Sequence, residues 1–210
     1  MLTVLTAPTD TDLTTLATMK AELGIVTGAD DAAILAMIGQ ASAAIERDLN
    51  RGALGLASYC ETYRTSPSTG GYSGRGRLRL MLSRTPVATI TSIVEDGQTL
   101  TAGDDFDFEA DVGFVNRLAG GRVREWTAQT IQVTYDAGYV LPRFPARDLP
   151  ADIERACLSL VKLYYFARNR DPLVKSEDVQ GAVNTAYFVG GGAIPPDISG
   201  LLDRFREISI

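Results

Sequence analysis

Four carboxylates alternate along the stretch "DDFDFEAD": Asp105, Asp107, Glu109 and Asp111 share one face of an extended segment, and Phe106, Phe108 and Ala110 take the other. Carboxylates grouped in this way are candidate ligands for a hard cation such as calcium. A calcium loop, however, curls its oxygens around the ion on a glycine turn, whereas alternate residues of a strand stand about 7 Å apart. A solvated strand face is therefore the better account. The glycine-rich "GGYSGRGR" lacks the lysine and Ser/Thr of a phosphate-binding loop, and strand-like sequence follows where a helix would have to start. It reads as a hairpin tip. In "RGRLRL", Arg75, Arg77 and Arg79 fall on one strand face, the one concentrated basic footprint, and a solvated edge explains them. Arg168, Arg170 and Asp171 offer an anion site at a helix end, yet cations there equally suit the helix dipole and a local ion pair.

The chain has no histidine. That removes the commonest general base, every Ser-His-Asp or Cys-His arrangement and the usual zinc sites. No catalytic, cofactor-binding or metal-binding residue is assigned, and the chain reads as a protein that is not an enzyme. Two cysteines, Cys60 and Cys157, sit in apolar periodic contexts and read as packing rather than a disulfide.

Three regions position these residues. In the first, residues 1–57, Asp12 caps "LTTLATMKAELGI", with Leu13, Leu16, Lys20 and Leu23 near helical spacing and Gly24 as a stop. A second helix follows, capped by Asp30 or Asp31, with Ile34, Ile38, Ala41, Ile45 and Leu49 as its apolar stripe and Gly52 as its end. Over residues 58–140 the period changes to two, in "CETYRT", "GRLRLML", "VATITSIV", "DFDFEAD", "GFVNRL" and "TIQVTYDAGY", which predicts an antiparallel β-region. In residues 141–210, Pro150 opens a long helix, "ADIERACLSLVKLYYFARNRDP". A loop of about 25 residues then leads to a short helix in "PPDISGLLDRFREI". The fold class is α+β: a small helical core with an inserted antiparallel β-region, the 210 residues forming a single domain.

The 45% hydrophobic and 22% charged fractions are those of ordinary globular material. No apolar run reaches the roughly 18 residues of a membrane span, and the first residues lack the basic and apolar regions of a signal peptide. No membrane partner is expected. The net charge of −6 is uneven: residues 1–57 carry seven acids and three bases, 58–140 ten and eight, and 141–210 nine and nine. A DNA-gripping surface needs a concentrated basic patch, which this distribution does not supply.

The long helix raises a separate question. Ile153, Cys157, Leu160, Tyr164 and Ala167 form one stripe, Leu158 and Tyr165 a second line roughly 120–140° away, and Phe166 lies behind Arg155 and Lys162 on what should be the wet face. One core cannot cover all three. Either a second layer of the same chain or another subunit must do so. Beyond it, the composition of residues 171–192 predicts a mobile segment, and Ile198, Leu201, Leu202 and Phe205 give the last helix an apolar face that needs a partner surface.

The order of these parts, "LTTLATMKAELGI", "DDAAILAMIGQASAAIERDLNRG", a β-region closing in "VTYDAGYV", then "LPADIERACLSLVKLYYFARNRDP", "SEDVQGAVNTAYF" and "IPPDISGLLDRFR", resembles the phage head–tail connector (adaptor) proteins, including those of prophages and gene transfer agents. The resemblance spans nearly the whole chain and rests on element order, not on a catalytic motif; the long β-region departs from the pattern. It implies a structural, non-enzymatic adaptor forming a homo-oligomeric ring, usually of twelve, beneath the capsid portal. Such a ring meets the portal protein on one side and a stopper or tail-completion protein on the other, and DNA passes through it without sequence-specific binding. The site is then the head–tail junction of the virion, reached from the host cytoplasm during assembly. Leu158, Tyr165 and Phe166 would be covered by an adjacent subunit or by the β-region. Ile198, Leu201, Leu202 and Phe205 would dock on the portal or pack back on the chain's own core. Two other classes stand beside this one: a monomeric β-rich adhesive or carbohydrate-binding module, and an enzyme using the acidic strand with a metal.

Overall fold

The computed structural model describes residues 1–64, 78–168, 176–179, 183–186 and 194–206. The chain divides into a β unit, Met1–Thr9 with Ala53–Tyr139, and a helical unit, Asp10–Gly52 with Val140–Ile210. The α+β class expected from the sequence is the class observed.

In the β unit, period-two alternation produces two antiparallel sheets. The larger has the order β1 (Leu2–Thr6), β2 (Ala57–Arg64), β9 (Thr130–Ala137), β4 (Val87–Glu95), β5 (Gln98–Thr99). The smaller has the order β3 (Arg79–Met81), β7 (Phe114–Ala119), β6 (Phe106–Glu109), with β8 (Arg122–Arg124) also on β7. Tyr59 lies opposite Tyr135, Glu61 opposite Val133 and Tyr63 opposite Ile131. Directly opposed residues share a face, so these six turn inward together. Leu80, Leu82, Phe106, Val115 and Trp126 join them in one core. Glu61 is the exception among them, a carboxylate only 4% exposed. It is stable there because Ser83 donates from its amide (2.9 Å) and hydroxyl (2.6 Å), and the Tyr135 hydroxyl donates at 3.1 Å. Burial, with Glu61 beside it, pushes the Tyr135 phenol well above its ordinary range.

The two ends of the long segment of this unit are bonded together. Leu56 N–H donates to the Tyr139 carbonyl at 2.9 Å and Tyr139 N–H to that of Leu54 at 2.8 Å. Gly138 makes this approach feasible: its φ is +113°, and a Cβ there would lie 2.6 Å from the Gly55 carbonyl oxygen.

Strand β1 differs from the sequence reading, which placed residues 1–57 in the helical part. Its partner β2 is distant in sequence, so local pattern alone does not reveal the pairing. The boundaries of the β-region shift accordingly, from 58–140 to Ala53–Tyr139 plus the first nine residues.

The helical unit contains α1 (Leu16–Leu23), α2 (Asp31–Asp48), α3 (Ala151–Ala167), a hairpin of β10 (Ser176–Val179) and β11 (Val183–Ala186), and α4 (Pro196–Leu202) continued by a 3₁₀ turn, Asp203–Phe205. Every residue of the expected α2 stripe, Ile34, Ile38, Ala41, Ile45 and Leu49, is buried. Gly24 ends α1 in the left-handed conformation, as read. The cap of α1 is Thr15, whose hydroxyl accepts from Thr18 N–H at 3.1 Å, and not Asp12. After α2 the chain turns at Asn50, with φ +53°, before it reaches Gly52. The segment read as a loop holds the β10–β11 hairpin; the rest of 169–193, with the expectation of mobility attached to it, lies outside the described residues.

Candidate functional site

Three of the four carboxylates of the acidic stretch have internal partners. Asp105 accepts from Thr101 N–H at 2.9 Å and from Arg117 at 3.2 Å; Asp107 accepts from Asn116 at 2.8 Å; Glu109 pairs with Arg79 at 3.5 Å. The Thr101 amide, and then Arg117, hold the Asp105 carboxyl below the usual carboxylate range. Among the described residues no three Asp, Glu, Cys or His side chains group to hold a metal ion. Arg75, Arg77, Arg170, Asp171 and the glycine-rich tip lie outside the described residues.

Helix α3 carries the residues singled out for assembly. It packs on α2, α1 and α4, and this explains why it is apolar on several sides. Ile153, Cys157 and Leu160 are buried. Leu158, at 8% exposure, is also covered within the single chain. It lies between residues that engage α1 and the turn before it: Glu154 accepts from Thr14, and both Arg155 (2.9 Å) and Lys162 (2.8 Å) pair with Glu22. Lys162, then Arg155, hold the Glu22 carboxyl below its ordinary range.

At the C-terminal end of α3, Tyr165 and Arg168 converge on Asp30, the residue preceding α2. The Tyr165 hydroxyl donates to Asp30 Oδ2 at 2.8 Å, and Arg168 reaches Oδ1 at 3.0 Å and Oδ2 at 3.1 Å. The guanidinium carbon of Arg168 also sits 4.1 Å from the centre of the Tyr165 ring. Arg168, then Tyr165, keep the Asp30 carboxyl below its usual range, and the same hydrogen bond raises the phenol of Tyr165. Phe166 stands edge-on to Tyr165, ring centres 5.6 Å apart and planes at 86°, and is 70% exposed. An aromatic ring is thus presented to solvent on a half-buried support fixed by three polar contacts. Sequence reading offered Asp30 only as a helix cap. Its side chain makes no capping bond, and spacing gives no sign of a partner 135 residues away.

The last helix is split between two surroundings. Ile198 and Leu202 are buried, in the arrangement where the segment packs back on the chain's own core, and α4 lies against α3. Leu201 and Phe205 are half-buried. Arg204 pairs with Asp152 and Arg206 with Asp48, both at 2.8 Å.

Residues 12–208 match the head completion protein family. The chain belongs to that family. The connector resemblance read from element order is thereby borne out, and the protein is a structural component of a phage-type head–tail junction. Family membership favours a structural role over the β-rich adhesive module and the metal enzyme. No curated protein matches the chain. Among solved structures, this head completion protein shares its fold with a chain of the neck of an empty gene transfer agent particle, computed with C6 symmetry. The two are 24% identical, the TM-score is 0.57, and 100% of this chain and 97% of that one are covered. A chain of the neck of the native particle, computed with C12 symmetry, is 22% identical with a TM-score of 0.56 and the same coverage. A chain of the native virion of the gene transfer agent is also 22% identical, with a TM-score of 0.57.

Proposed function

We propose that this head completion protein is one subunit of a ring, a homo-oligomer of twelve, seated beneath the capsid portal in the neck of a virion. The ring meets the portal protein above and a stopper or tail-completion protein below, and DNA passes through it. Each contact in a cyclic ring joins one flank of a subunit to the opposite flank of the next. The observation that carries this reading is Phe166, an exposed aromatic braced by Tyr165, Arg168 and Asp30. Large aromatics held in place lose little freedom when covered and supply much buried area. Leu158, already covered by its own chain, contributes little further to this seam. The fold relatives whose particles were computed with C6 and C12 symmetry support the cyclic arrangement. A net charge of −6 suits a channel through which phosphates slide without being gripped. The half-buried Leu201 and Phe205 face the portal, while Ile198 and Leu202 anchor the segment to α3.

Electron microscopy of the chain incubated with its portal tests the ring, and sedimentation velocity tests the seam. Tyr165→Asp and Phe166→Asp are expected to weaken assembly, and Phe166→Asp to do so with the melting temperature of the subunit unchanged. Rings formed as readily by both folded variants as by the parent would place the seam elsewhere.

A further inference from the structure

The chain contains one Asp–Gly bond, Asp96–Gly97, and no Asn–Gly bond. An aspartate is chemically least stable in that setting, because a following glycine puts no side chain in the way of its own amide nitrogen. That nitrogen can attack the aspartate Cγ. The new N–Cγ bond closes a five-membered succinimide ring, and the carboxyl OH leaves with the amide hydrogen as water. When water then opens the ring at the carbonyl next to Cα, the chain runs on through Cγ. The product is isoaspartate, with one extra atom in the backbone and the free carboxylate moved onto Cα.

Asp96 and Gly97 are the two residues between β4 and β5, both left-handed, with φ of +46° and +87°, as a two-residue hairpin turn of this kind requires. Both are exposed, so water reaches the turn. The Asp96 carboxylate, however, is engaged elsewhere. Its Oδ1 accepts from Thr130 N–H at 2.8 Å and its Oδ2 from Gln129 N–H at 2.9 Å, while Asp96 N–H donates to the Thr130 carbonyl at 3.0 Å. These three bonds fix the turn to the start of β9. The carboxyl must let go of both amides before its Cγ can meet the nitrogen of Gly97.

We propose that Asp96 is a site of spontaneous aspartate isomerisation that the fold holds closed, the gate being the amides of Gln129 and Thr130. The site opens when that end of β9 frays. Isoaspartate carries its carboxylate on a different carbon and lengthens the turn by one atom, so the bonds to β9 do not re-form as they were. The turn between β4 and β5 thereby keeps a chemical record of local opening in a long-lived subunit. The site is independent of the ring.

The full chain is incubated at neutral pH, both folded and in guanidinium chloride. Isoaspartate at residue 96 is read by peptide mapping with a protease that cuts before aspartate but not before isoaspartate. Two bonds to a charged acceptor should slow the folded reaction by about tenfold or more relative to the unfolded one. Asp96→Asn tolerates the left-handed conformation and keeps only one acceptor oxygen. It deamidates through the same succinimide, and its ratio of unfolded to folded rates should fall below the parent's by about threefold or more. Gln129→Pro, which removes one donor, decides the same point if Asp96→Asn does not fold. Equal rates in the folded and unfolded parent overturn the gate, and no isoaspartate in the unfolded parent overturns the site. A folded variant as well protected as the parent shows that the β9 amides do not close it, and overturns the proposal equally.

Discussion

Leu202 is fully buried in a helix of only seven residues close to the end of the described chain, and this combination sets an unusual limit on the effect of truncating it. A buried Leu→Ala or Ile→Ala change ordinarily costs about 2–5 kcal/mol, because the lost contact is compounded by the cavity left behind. Ile38, equally buried within the 18-residue α2, should behave in that way. The segment containing Leu202 has an alternative: it can leave the surface of α3 and abolish the cavity. The cost is then capped at the net free energy of docking. Burying Ile198 and Leu202 contributes about 1.5–3 kcal/mol each before chain ordering is subtracted, and the exposed pairs Arg204–Asp152 and Arg206–Asp48 add little. We expect Leu202→Ala to lower global stability by about 1–2 kcal/mol, against about 2–5 for Ile38→Ala. Denaturant unfolding gives the two values, and hydrogen exchange locates the change. In Leu202→Ala, protection of the α4 amides should vanish while that of α2 persists. A cost equal to that of Ile38→Ala, with α4 still protected, would show that the segment is integral to the core and refute the cap.

Glu61→Ala should destabilise the β unit by about 2–4 kcal/mol, since Ser83 and the buried Tyr135 hydroxyl lose their acceptor; denaturant unfolding measures it, and a change below about 0.5 kcal/mol, within ordinary surface substitutions, would mean water replaces the carboxylate. The Asp30 and Glu22 carboxyls have folded pKa values below their unfolded ones, so their contribution is present above the carboxylate range and is lost as pH falls through it. Melting temperature should therefore drop below about pH 4, and Asp30→Asn or Glu22→Gln should flatten that slope. Burial pushes the Cys157 thiol up to about 12, so a thiol reagent at neutral pH should label it only after unfolding; labelling as fast as in denaturant would contradict the buried placement.

Much of the helical unit was legible because its stripes are long: four residues of α2 and its C-cap Leu49 recur at helical spacing, and all five are buried. The crowding of apolar residues around α3 was legible too, but its cause was not. Periodicity reports that a face is covered, whereas only topology tells that α1, α2 and α4 share the covering. Leu158 therefore carries the same sequence signal as a subunit contact while lying inside its own unit. Thr15 and Asp12 are both good caps, and the choice between them depends on where tertiary packing starts the helix. β1 was not legible because five residues hold too little pattern to identify a strand. The contact of Tyr165 and Arg168 with Asp30 links residues more than 130 positions apart, and no local rule foresees it.

The bonded ends of the long β segment also bear on how such a chain can change over generations. Because Leu54 and Leu56 are tied to Tyr139, everything between them leaves and re-enters the chain path at nearly one point. Lengthening, shortening or recombining that stretch would alter the distance between its ends very little, and loop-closure entropy rises only slowly with added length. Gly138 resists drift, because any side chain there would collide with the backbone of Gly55. Inheritance can therefore vary the length of that stretch so long as the clasp at its neck keeps its glycine.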